Sequence, residues 1–110
     1  MFYKLDENKN VVESSIEEWA TFIEGKDNFP TNYRHVGDEI INGKRISTVF
    51  LGLCHNFHPY SKIPIVFETM VFKENGSENY MERYSTWKEA EDGHQRAIEW
   101  VKGGCKDEDR

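Results

Sequence analysis

The stretch VGDEIINGKRISTVFLGL, residues 36–53, decides the fold. Asn42-Gly43 separates two runs rich in apolar and β-branched residues, 36–41 and 45–53. Both turn residues tolerate positive φ, which the tightest antiparallel hairpins require. The second run, Ile46-Ser47-Thr48-Val49-Phe50-Leu51, is almost continuous in strand-forming residues, and Ile65-Val66-Phe67-Glu68-Thr69-Met70-Val71-Phe72 is its equal. A turn at Asn75-Gly76-Ser77 then leads to a short strand over 79–84. These pieces predict a β-meander.

Helices are signalled on either side of it. Ser14 and Ser15 stand three residues before Glu17 and Glu18, the spacing at which side chains and backbone amides cap one another reciprocally. Ile16, Trp19, Ala20 and Ile23 then form one apolar stripe, and Gly25 ends the helix. Thr86 and Glu89 repeat the capping pattern before Trp87, Ala90, His94, Ala97, Ile98 and Val101, with Gly103 as the stop. Upstream, 2–5 and 11–12 flank a polar turn and read as short extended pieces. The expected class is α+β: a small, mainly antiparallel sheet with an N-terminal and a C-terminal helix on one face. Residues 1–104 read as one domain and 105–110 as a polar tail.

Composition bounds the function. The 110 residues carry 14 Lys+Arg against 20 Asp+Glu, a formal charge of −6. The middle block, 25–73, has six bases to four acids, so the negative charge belongs to the flanks. An acidic chain is a poor general nucleic-acid binder, because displacing counterions needs positive charge. No apolar run is long enough to span a membrane, and no secretory signal is visible. A cytoplasmic setting is expected. Cys54 and Cys105 are then read as free thiols.

Both faces of the 65–72 run are largely apolar: Ile65, Phe67, Thr69 and Val71 on one, Val66, Glu68, Met70 and Phe72 on the other. Two short helices cover one face only. A homodimer is expected to cover the other.

The connection 54–64 is too long for a tight hairpin and holds the densest set of functional side chains: His55, Asn56, Phe57, His58, Tyr60 and Lys62. Cys54, His55 and His58, with His94, are competent zinc ligands, but their spacing fits no common zinc pattern, so no metal or cofactor is expected. Glu68 must be solvated, protonated or paired, and His94 or His55 would serve as its partner in acid–base work. No nucleophile motif, phosphate loop or dinucleotide fingerprint accompanies them, so an enzyme is not the leading reading. Phe57 and Tyr60, with Lys62 and Arg45, could stack a base and neutralise a phosphate, which suits a small nucleotide.

The motifs Ile46-Ser47-Thr48-Val49-Phe50-Leu51-Gly52, His55-Asn56-Phe57, Phe67-Glu68-Thr69-Met70-Val71-Phe72 and Arg83-Tyr84-Ser85-Thr86-Trp87, followed by Glu89-Ala90 and Gly93-His94, together resemble a family of small uncharacterised phage and prophage proteins. The resemblance covers about residues 34–98. Where members carry an acid before the His, this chain has Cys54. The resemblance implies a phage origin and a host-cytoplasm setting. It favours a non-enzymatic accessory protein that binds or inhibits a host component, such as a defence protein. Alternatives are a module that binds or sequesters a nucleotide-like ligand, a small enzyme using His55, Glu68 and His94, and a virion assembly part.

Overall fold

The structure, a computed structural model, describes residues 2–25, 31–53, 64–73 and 76–104. Strands β1 (Phe2–Leu5) and β2 (Val11–Ser14) pair antiparallel around a tight polar turn. Asp6 organises that turn: its Oδ1 accepts from the backbone amides of Asn8 at 2.8 Å and Asn10 at 2.9 Å. Those bonds, Asn10's foremost, hold the Asp6 carboxyl below its ordinary range.

Helix α1 (Ile16–Glu24) starts at Ser15, whose Oγ accepts from the Glu18 amide while Glu18 accepts from the Ser15 amide. It closes at Gly25 in the left-handed conformation. The predicted stripe is rotated, however. Ile16 is 58% exposed, and the residue sunk into the core is Phe22. The ring of Phe22 meets Phe50 and Tyr33 edge-on at 5.8 and 6.2 Å, a geometry that rewards burying it in place of Ile16.

After a 3-10 turn at Thr31–Arg34 comes the meander: β3 (His35–Ile41), β4 (Lys44–Phe50), β5 (Phe67–Lys73) and β6 (Gly76–Tyr84), hydrogen-bonded in that order and antiparallel throughout. Asn42 and Gly43 take φ of 53° and 78°, as the predicted hairpin needs. Helix α2 (Trp87–Lys102) opens on the Thr86–Glu89 capping box. Gly103 follows it without a left-handed φ; that conformation falls to Gly104.

Register decides the inner face. Ile46 pairs with Val71, Thr48 with Thr69 and Phe50 with Phe67, and all six are buried on the α2 side. Phe50 also touches Phe22 of α1, so the two helices share that face, as expected for this α+β class. The alternation fails only before β5. Val66, grouped by alternation with Glu68, Met70 and Phe72, does not share their outer face: it is fully buried, and its backbone bonds Leu51 and Tyr84 just before the strand begins at Phe67.

Two apolar clusters result. One gathers Leu5, Phe22, Phe50, Val66, Phe67, Tyr84 and Ala90; the other Ile46, Val71, Tyr80, Ala97, Ile98 and Val101. Between them, at the middle of each contributing element, lie the buried polar residues Thr48, Thr69 and His94. No helix among the described residues is long and apolar enough to cross a membrane.

Candidate functional site

Residues 54–63 lie outside the described residues, and with them Cys54, His55, Asn56, Phe57, His58, Tyr60 and Lys62. The polar tail from Cys105 onward lies outside them too. Three of the expected site residues can be placed.

Glu68 is on the outer face of β5, where Arg83 of β6 donates to its carboxylate at 3.1 Å. His94 is on the opposite side of the sheet, buried under α2. The pairing of Glu68 with His94 is therefore corrected: one-residue spacing from Thr69 puts Glu68 on the wrong face. Its carboxylate is compensated by a guanidinium instead. Arg45 does not meet His94 or Glu68 either. It stands near the start of β4, five residues and roughly 16 Å from Phe50 at the other end. There it forms a two-pronged pair with Asp38, at 2.8 and 2.6 Å, which holds the Asp38 carboxyl low.

His94 has two partners. Its Nδ1 lies 2.7 Å from the Thr48 hydroxyl and its Nε2 lies 2.7 Å from a Glu39 carboxylate oxygen. Two glycines make the close approach possible. A Cβ at Gly37 would collide with the His94 ring, and one at Gly93 with the Tyr84 ring. Among the described residues, no group of three or more His, Cys, Asp or Glu side chains converges on a metal-sized space.

A further opening lies elsewhere. A cleft of about 1070 Å³ lies between the β1–β2 hairpin and the first turn of α2, with Pro64 on its rim, the residue that follows 54–63 in the chain. Tyr3, Lys9 and Val11 line one side; Thr86, Trp87 and Lys88 line the other. Lys9 is its most unusual group. The ammonium sits 3.6 Å from the centroid of the Tyr33 ring and 4.0 Å from that of Trp87, and donates to the Tyr33 carbonyl at 2.9 Å. Burial pulls its pKa down.

No carboxylate among the described residues pairs with Lys9. The neighbouring Lys88 does have one, Asp92 at 3.0 Å. The N-terminus of α2 is also occupied, since Glu89 accepts from the Ser85 and Thr86 amides and Thr86 accepts from the Glu89 amide. The free positive charge of the cleft is thus Lys9, framed by aromatic faces.

Sequence reading missed Lys9 because a lysine in a polar turn is ordinarily a solvated one. Lys9 takes φ 65° in a turn locked by Asp6, which fixes where its side chain starts. No family model matches the chain, and no similar curated protein or solved structure is found.

Proposed function

We propose that this chain is a binding protein whose cleft between the β1–β2 hairpin and α2 takes a small anionic ligand with a planar ring, of the nucleotide class. The observation that carries the reading is Lys9: a partly desolvated ammonium between two aromatic rings, with no carboxylate to neutralise it. A phosphate would supply the missing counter-charge, and a base would find the apolar and aromatic surfaces of Tyr3, Val11 and Trp87. Given the resemblance to phage and prophage proteins, such binding would serve as a non-enzymatic accessory activity in the infected host cell, sequestering a host ligand or blocking a host component.

Thermal denaturation against a panel of mononucleotides and inorganic phosphate tests this. A ligand present at a hundred times its Kd stabilises by about 2.7 kcal/mol, which raises the Tm of a domain this size by several degrees. Lys9→Gln keeps a donor for the Tyr33 carbonyl and removes the charge, so it should abolish the shift. A flat panel contradicts the reading.

A second reading concerns assembly. The outer face of the sheet carries Ile40, 76% exposed, on β3 and, beyond β4, Phe72 and Met70 of β5 and Met81 of β6. Among the described residues its charges Asp38–Arg45 and Glu68–Arg83 are already matched within the chain, so covering the face strands neither pair. A second copy is the occupant we infer. Light scattering at micromolar concentration should give a dimer, and Ile40→Asp a monomer; a monomeric wild type ends this reading.

A further inference from the structure

Six side chains form one unbroken hydrogen-bonded line beneath α2, running across the sheet from its first strand to its last. Glu39 meets His94 Nε2 at 2.7 Å, and His94 Nδ1 meets Thr48 at 2.7 Å. Thr48 meets Thr69 at 2.5 Å, Thr69 meets the Tyr84 hydroxyl at 3.0 Å, and Tyr84 meets Glu82 at 2.8 Å. Thr48 and Thr69 are fully buried, so neither can turn to water instead.

The protons can be counted. Five contacts this short need five hydrogens, one in each gap, since two facing lone pairs repel. Each hydroxyl brings one, giving three, and a neutral imidazole brings one more. Ionised carboxylates bring none. The line is one hydrogen short.

We propose that this line takes up one extra proton on folding, carried on the His94 ring, and that the protein is thereby a pH-responsive one whose α2–β3 and α2–β6 contacts depend on that proton. With both ring nitrogens protonated, His94 donates to Glu39 and to Thr48, and each hydroxyl then donates to the next until Tyr84 donates to Glu82. Loss of the proton forces a gap. If Nδ1 keeps its hydrogen, Glu39 faces a lone pair and turns outward; if Nε2 keeps it, the hydroxyls reverse and Glu82 loses Tyr84. Either break falls at a partly exposed end, because the middle is sealed.

Acidic side chains outnumber basic ones around the ring. A cavity of about 320 Å³ over His94 is lined by Glu39 and Val36 of β3 and by Lys88, Glu91, Asp92 and Gln95 of α2. Lys88, its one basic side chain among the described residues, is paired with Asp92. Beyond Glu39, β3 contributes Asp38, whose carboxyl is held low chiefly by Arg45, with His35 and His94 adding to it. From β4 and β5 the ring's line meets only the hydroxyls of Thr48 and Thr69. From β6 come Tyr84, pushed well above its ordinary value chiefly by burial, and Glu82, which also accepts from Arg96 at 3.1 Å.

The sign follows. A proton bound in the folded chain and not in the unfolded one stabilises at low pH, and that stability is lost as pH rises through the folded-state titration.

The test is nitrogen NMR of the His94 ring in wild type, Glu82→Gln, Glu39→Gln and Glu91→Gln. Wild type should show both ring nitrogens protonated at neutral pH. Glutamine at 82 or 39 can donate a hydrogen into the line and so makes the extra proton unnecessary. The His94 titration midpoint should then fall by about one pH unit or more in each. Glu91→Gln removes a charge from the cavity without entering the line and should move the midpoint less. A single N–H on wild-type His94, or a Glu82→Gln midpoint no lower than that of Glu91→Gln, overturns the proposal. If one of Glu82→Gln and Glu39→Gln fails to fold, the other carries the comparison.

Discussion

His94 Nε2 lies 2.7 Å from Glu39 Oε1, although 55 positions separate the two residues in the chain. The bond fastens α2 to the outermost strand of the meander, with a buried ring at one end and a half-exposed carboxylate at the other. Replacing the two residues should therefore differ in cost. His94→Leu fills the space but removes the ring's bonds to both Thr48 and Glu39, and should destabilise by about 2–3 kcal/mol. Glu39→Ala removes one of the ring's two bonds and leaves the Thr48 bond in place, so it should cost less, about 1 kcal/mol. Urea denaturation with an unchanged m-value checks both.

Gly93 gives a sharper contest of magnitudes. Alanine in a helix interior is favoured over glycine by about 1 kcal/mol. Here the added methyl would strike the Tyr84 ring, and such overpacking costs about 1–3 kcal/mol. Gly93→Ala should be net destabilising and should weaken the Tyr84–Thr69 bond. A variant more stable than wild type would show that α2 sits less tightly on the sheet than described.

The Asp38–Arg45 pair contributes to acid sensitivity. Arg45 depresses the Asp38 carboxyl below its ordinary 3.8, so the stability it lends is present above that value and is lost as pH falls below it. Both side chains are at least a third exposed, which limits the contribution to about 0.5 kcal/mol. Asp38→Asn should flatten the stability profile below about pH 4 by that amount. Denaturation midpoints at pH 3 and pH 6 measure it.

Much of this was legible beforehand because it is local. The Asn42-Gly43 turn and both capping boxes are decided within four residues, and each appears where the sequence put it. The inner face of the meander was also readable, since alternation in Phe67, Thr69 and Val71 survives intact. What could not be read depends on contacts between distant residues. Phe22 displaces Ile16 from the core because Phe50 and Tyr33 are there to meet it. Glu68 looked like a partner for His94 until Arg83 and the strand face were known. Lys9 looked like surface until Tyr33 and Trp87 closed on it.

Lys9 should also matter to the unliganded fold, though modestly. Its ammonium links the hairpin turn to Tyr33 and Trp87, and cation–π contacts that are partly desolvated are worth about 1 kcal/mol. Lys9→Met should lower stability by about that much without changing the far-ultraviolet spectrum. A loss several times larger would mean that the lysine is chiefly a structural clip.

The indole resonances offer the most direct view of the cleft. Trp87 lines it, whereas Trp19 packs on Phe2 and Trp100 on Tyr80, away from Lys9. Titrating the labelled protein with a mononucleotide should shift the Trp87 indole signal saturably, leave Trp19 and Trp100 unmoved, and fail in Lys9→Gln. An unshifted Trp87 at millimolar ligand, or equal movement of all three indoles, would contradict a binding site at Lys9.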